Sequence, residues 1–130
     1  MYLLDTCTFL WLIWDSPQLS ELTREQLTDP EVPVYVSSVS IWEATQKHQL
    51  GKLRLDGSEA AGAYFVRHRQ AHALDALAFA ERDAQHLSRL PPLHRDPFDR
   101  MLICQAIEHG LTLVTPDAAI HRYPIRTLWH

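Results

Sequence analysis

Short solid apolar runs and helically spaced apolar positions take turns along the whole chain. Tyr2-Leu3-Leu4-Asp5 is a compact apolar run closed by an acid, the mark of a buried strand. Thr6 or Asp5 then caps a helix through Thr8–Trp14, apolar nearly all round and so expected to be buried. Ser16-Pro17 breaks it, and Ser20 opens a second helix to Thr28 with Leu22 and Leu27 as its inner face. Pro30 and Pro33 fence off a second strand, Val34–Ser37. Ser40-Ile41-Trp42-Glu43 has the spacing of a capping box, placing Glu43 in the first turn of a helix that Gly51 ends. After a loop, Lys52–Gly57, another helix is expected from about Ser58 to Gln70.

Ala73–Leu77 reads as a strand, although its alanines suit one poorly. Glu81–Ser88 reads as a short polar helix, stopped by Pro91-Pro92. The next helix has the fullest set of local signals. Asp96 suits the N-cap, Pro97 the first helical position, and Asp99 the third. Phe98, Leu102 and Ala106 form its apolar stripe, and Gly110 lies where a left-handed residue ends a helix. Leu111–Thr115 is the clearest strand of the chain. Pro116-Asp117 turns into a short helix, Ala118–Arg122, and Pro124 leads into a last strand, Ile125–Leu128. Uniformly apolar strands alternating with helices predict a mostly parallel sheet covered on both faces, a three-layer α/β/α sandwich.

Composition narrows the setting. The 130 residues are enough for one domain, 1–130, with a core that needs no disulfides. Cys7 and Cys104 lie in apolar helical patterns and form no C-x-x-C, as expected of reduced thiols in a cytoplasmic protein. No apolar run is long enough to span a membrane, and the N-terminus lacks a basic region before its apolar run. The net charge of −4 argues against a generic nucleic-acid coat. It is compatible with a cluster of acids that meets phosphate through bound cations.

Such a cluster follows from the pattern. In an open parallel sheet, ligands bind beyond the carboxyl ends of the strands. Asp5 follows the first strand, Asp117 follows the Leu111–Thr115 strand, and Glu43 and Asp99 lie near helix starts that return to the same edge. Asp96 joins them from one turn position earlier. At about 5 Å and an effective dielectric of roughly 20, each carboxylate pair repels by about 3 kcal/mol. Four acids gathered there need cations or protons. An oxygen-only donor set favours Mg²⁺ or Mn²⁺ over Zn²⁺. Each acid also has a purely structural role open to it. Asp5 suits a helix cap, Glu43 the capping box with Ser40, Asp99 the helix dipole, and Asp117 the turn after Pro116.

The motifs resemble those of PIN-domain ribonucleases, in particular VapC-type toxins of type II toxin–antitoxin pairs. The matching pieces are Leu4-Asp5-Thr6, Ser37 through Glu43, Arg95 through Leu102 with Gln105-Ala106, Leu113 through Asp117, and Tyr123-Pro124. They run in family order across the whole chain. The Ala73–Leu77 segment departs from the clearer strand usual there. The resemblance implies a Mg²⁺- or Mn²⁺-dependent endoribonuclease, a homodimer, held inactive by a small cognate antitoxin of the VapB type. By motif position Asp5, Glu43, Asp99 and Asp117 match the acidic quartet that binds metal and carries catalysis. Asp96 matches an acid of some subgroups, and Thr115 a polar position beside the last acid. Apart from the resemblance, Arg95, Arg100, Lys47 and Lys52 are candidates for guiding the phosphates of an RNA substrate, with ordinary surface charge the simpler account of each.

Other chemistries fit less well. Asp5-Thr6-Cys7-Thr8 after a strand resembles a metal-dependent phosphatase of the haloacid-dehalogenase type, but Cys7 stands where the second acid is needed. His68 and His72 share a helix face without a third ligand at metal-site spacing. His94, next to the acidic helix start, is placed to contact substrate, but reads more simply as an ordinary loop histidine. Cys7 is expected to be buried, and Trp11, Trp14 and Trp42 read as core or dimer-interface residues. The alternative from a different class is a non-catalytic binding partner on the same scaffold, its acids serving only as caps.

Overall fold

A computed structural model describes all residues, Met1–His130, as a five-stranded parallel sheet between two layers of helices. The strands are β1 (Tyr2–Leu4), β2 (Val34–Ser37), β3 (Asp75–Leu77), β4 (Thr112–Val114) and β5 (Thr127–Leu128), in the order β3-β2-β1-β4-β5. The helices are α1 (Thr6–Ile13), α2 (Glu21–Leu27), α3 (Ser38–Gln49), α4 (Ala61–Ala71), α5 (Glu81–Ala84), α6 (Pro97–His109) and α7 (Ala118–His121). No helix is long and apolar enough to cross a membrane.

Strand alternation builds the two halves of the core. Leu4, Val34, Val36 and Val114 face one side, where Phe9, Leu12, Leu27 and Phe65 of α1, α2 and α4 cover them. Leu3 and Leu113 face the other, with Leu102, Ile103 and Ala106 of α6 and Ile120 of α7. Both sides of β1 are therefore buried, which is why its sequence is solid rather than alternating. In register, Leu4 pairs with Val36 on one flank and Val114 on the other. The residues that follow, Asp5, Ser37 and Thr115, thus come level at the carboxyl edge.

Several sequence expectations shift. The N-cap of α3 is Ser37, whose Oγ accepts the Val39 N–H at 3.0 Å, not Ser40. β2 passes into α3 without a loop, so the helix begins two residues before the predicted capping box. Glu43 consequently lies in its second turn. Ser40 is buried instead, accepting a 3.0 Å hydrogen bond from the Thr6 hydroxyl that ties α3 to α1. α4 starts at Ala61 rather than Ser58. β3 is a true strand paired with β2, but it begins only at Asp75, because Ala73 is held in a left-handed turn with φ of 54°. α2 turns Thr23 and Leu27 inward and leaves Leu22 exposed. The predicted Glu81–Ser88 helix tightens after Ala84 into a 3₁₀ segment, Gln85–Arg89, and only Thr127–Leu128 of the last expected strand pairs. Trp42 is 67% exposed, so it belongs to the surface.

Candidate metal centre

Three of the predicted acids are helix caps, and each uses one oxygen for that task. Asp5 caps α1, with Oδ1 accepting the Thr8 N–H at 2.9 Å. Asp96 caps α6 through Oδ1, which accepts from Phe98 N at 2.8 Å and Asp99 N at 3.1 Å. Asp117 caps α7, with Oδ1 taking Ala119 N at 2.8 Å. The capping bonds leave Oδ2 of each acid without a backbone donor. Capping and ligation are compatible here, because a carboxylate has two oxygens and about four lone-pair directions.

Burial makes this charge costly. Asp5 is 4% exposed and Glu43 7%. Glu43 Oε2 faces Lys47 Nζ at 3.5 Å, while its Oε1 is buried and has no hydrogen-bond partner. Asp99 holds its proton up to about 7. Burial is the main cause, followed by the negative charges of Asp96, Asp5 and Glu43, with His94 acting in the opposite direction. Asp96, Asp5 and Glu43 are thus each near enough to Asp99 for their charge to act on it. Asp117 joins through His94, whose Nε2 lies 2.9 Å from Asp99 Oδ2 and 3.1 Å from Asp117 Oδ2. Ligand atoms of His94, Asp99 and Asp117 all lie within 4.8 Å of one another. Thr115 is fully buried and supports Asp117, whose backbone N–H donates to Thr115 Oγ1 at 3.1 Å.

Cys7 is only half-buried, contrary to the sequence expectation. Its thiol donates to both oxygens of Asp5 at 3.4 and 3.5 Å, and burial together with the Asp5 charge pushes its pKa well above the ordinary thiol range. It is therefore held as a donor and is no nucleophile. Arg95 is exposed. Arg100 lines an apolar hollow of about 320 Å³ with Phe79, Leu87, Pro97, Met101 and Cys104, its Nε buried without a partner. His68 and His72 lie with ring centroids 6.1 Å apart and join no cluster of three ligands.

Two residues at the centre play parts that the sequence reading did not assign to them. His94 touches two of the acids, and Tyr123 holds its loop, accepting the Leu93 and His94 N–H groups at 3.2 and 3.0 Å. His94 lies close in sequence to Asp96 and Asp99, but its contact with Asp117 and the hydrogen bonds of its loop to Tyr123 cross the fold. The Glu43–Lys47 pair did have a local signal, its i,i+4 spacing on a helix.

The donor set suits a hard divalent cation. It is made of oxygens, one of them a buried orphan on Glu43, and the Asp99 carboxyl retains its proton to about 7 through burial first and neighbouring negative charge second.

Comparisons with known proteins bear on this arrangement. The family model described as PIN domain matches residues 2–125. No curated protein sequence matches the chain significantly. Among solved structures, VapBC2 from Rickettsia felis, bound to a DNA fragment from its promoter, matches with TM-score 0.72 and 18% identity over 98% of this chain and 96% of that one. DNA-bound VapBC from Salmonella typhimurium matches with TM-score 0.69 and 21% identity over 98% and 96%. FitAcB from Neisseria gonorrhoeae matches with TM-score 0.67 and 20% identity over 99% and 97%. These likenesses are of fold. With its motifs in order and the family model spanning nearly its full length, the chain belongs to the PIN domain family.

Proposed function

We propose that residues 1–130 form a single catalytic unit, a divalent-metal-dependent endoribonuclease that is the toxin of a VapBC-type pair. The observation that carries the reading is a buried acidic centre, in which burial first, and then the negative charges of Asp96, Asp5 and Glu43, keep a proton on Asp99 to about 7. A cation offsets that charge as a cap cannot. Asp5, Asp99 and Asp117 would hold Mg²⁺, with Mn²⁺ as a substitute, and Glu43 would join directly or through water. When bound, the ion lowers the pKa of water and offsets charge on the phosphoryl oxygens.

The reaction is hydrolysis. Water forms a new bond to phosphorus, one bond from phosphorus to a ribose oxygen breaks, and the water's protons pass to the released hydroxyl and to solvent. Lys47 holds Oε2 of Glu43, so Oε1 is left to accept a hydrogen bond from the attacking water and orient it. Asp99 would give up, on binding the ion, the proton it otherwise keeps to about 7, and Asp99 and Asp117 are both fixed in place at helix starts. Arg95 and Arg100 would contact flanking phosphates. Cys7 stays protonated and takes no covalent part.

For partners, the reading supplies a small VapB-type antitoxin and a second copy of the chain, all in the cytoplasm. The fold likeness to VapBC complexes and the sequence motifs support it. Exposed Trp42, beside a groove shared by Val39, Phe79, Phe98 and Met101, is a surface that a partner would cover.

The test is cleavage of a pool of structured and unstructured RNAs with Mg²⁺, Mn²⁺ or EDTA. Asp5→Asn and Asp99→Asn keep the side-chain shape and remove a charge, so each should abolish cleavage without unfolding the protein. Full activity in Asp5→Asn, or cleavage that survives EDTA, overturns the reading.

A further inference from the structure

His94 is a loop residue, yet its position is fixed from three directions. Tyr123 Oη accepts its backbone N–H at 3.0 Å and that of Leu93 at 3.2 Å. Its ring has only 17% of its surface exposed. Nδ1 accepts the Asp96 backbone N–H at 3.4 Å, and Nε2 reaches Oδ2 of both Asp99 and Asp117.

The separations at Nε2 alone suit two roles. They fit a nitrogen that shares an ion with the two acids, and equally a nitrogen that donates a hydrogen bond to them. The other side of the ring decides. A backbone N–H is always a donor, so the nitrogen facing it must be an acceptor. Nδ1 is therefore bare, and the ring proton sits on Nε2. A protonated Nε2 has no lone pair for a metal. It points its hydrogen between two carboxylate oxygens instead.

Those oxygens matter. Oδ1 of Asp117 is committed to Ala119 and Ile120 of the α7 cap, so Oδ2 is its free oxygen, and this is the atom His94 meets. Each oxygen has a second lone pair, so a hydrogen bond from His94 and a cation can share it. Ligands oriented in this way by a neighbouring donor typically bind metal some 10- to 100-fold better than ligands without one.

We infer that His94 is a positioning residue of the metal centre, a donor from Nε2 that holds the Asp99 and Asp117 carboxylates together for the ion and does not ligate it. The inference rests on the proposed metal-binding role of these acids. It gives His94 a task outside the quartet, set by a tautomer that Asp96 selects through its main chain.

The test reads Mn²⁺ binding to the whole chain without RNA, by titration and pulsed electron paramagnetic resonance. Two amides divide the functions of the ring. In His94→Gln the side-chain amide reaches the position of Nε2 and can donate there. In His94→Asn the amide reaches only the position of Nδ1, so it can serve Asp96 but not the acids. Mn²⁺ affinity should fall about tenfold in His94→Asn and recover most of that loss in His94→Gln. The Mn²⁺ bound to the unsubstituted protein should show no coupling to an imidazole nitrogen. Unchanged or tighter binding in His94→Asn, no recovery in His94→Gln, or a coupled imidazole nitrogen overturns the inference alone. Absence of Mn²⁺ binding to the unsubstituted protein overturns the metal-centre reading and this one with it.

Discussion

In metal-free protein Asp99 gives up its proton only near 7, against an ordinary value of 3.8. Burial and the charges of Asp96, Asp5 and Glu43 cause this, against the opposing pull of His94. Between those two values the folded state binds more protons than the unfolded chain, so stability must fall as pH rises. The stability that protonation confers is full below about 3.8 and lost on approaching 7. Denaturation in EDTA at a series of pH values should show this decline, and Asp99→Asn should flatten it. Saturating Mn²⁺ should reverse it above neutrality, because the ion binds the folded state. Asp96→Asn separates two functions of one residue. Asparagine caps about as well as aspartate, so α6 should survive. One negative neighbour of Asp99 is lost, so a carbon-detected NMR titration should find the Asp99 value lowered. Cleavage should suffer less than in Asp5→Asn.

Elements whose signals are local came through from sequence. In α6, cap, proline, apolar stripe and terminal glycine lie within fifteen residues and agree with one another. Gly110 does adopt the left-handed conformation, φ 64°, with no atom within 4 Å of where a Cβ would sit. Gly110→Ala should therefore cost conformational energy alone, about 1 kcal/mol, measurable as a lowered unfolding midpoint with cleavage unchanged. The start of α3 was misread because two serines compete for one cap, and only the strand pairing of Ser37 selects between them. β3 was faint because its composition is poor and its order comes from pairing with β2. In the same way Asp5, Asp99 and Asp117 were legible at strand ends and helix starts, while Glu43 lies a turn further into α3 than its spacing from Ser40 suggested. The parts played by His94 and Tyr123 were not legible, because the contacts of His94 with Asp117 and with Tyr123 form across the fold.

At the scale of the whole molecule, Trp42 and the groove at Phe79, Phe98 and Met101 form an apolar surface next to the first turn of α6. Sedimentation should find a dimer, and Trp42→Arg should shift it to monomer, lowering the unfolding midpoint only by what association adds and removing its dependence on protein concentration, since the side chain packs little within its own chain. The sheet order bears on a chain still being made. β1 is the first strand to emerge, yet it occupies the middle of the sheet, between β2 and β4. Until residues past Leu111 have been synthesised, one edge of β1 lacks its neighbour, Asp117 does not exist, and the loop of His94 has no Tyr123 to hold it. Pairings between such distant segments form late. A chain built in this order carries Asp5, Glu43 and Asp99 before β4 brings Asp117 beside them, so the proposed metal centre cannot be completed on a partly made chain.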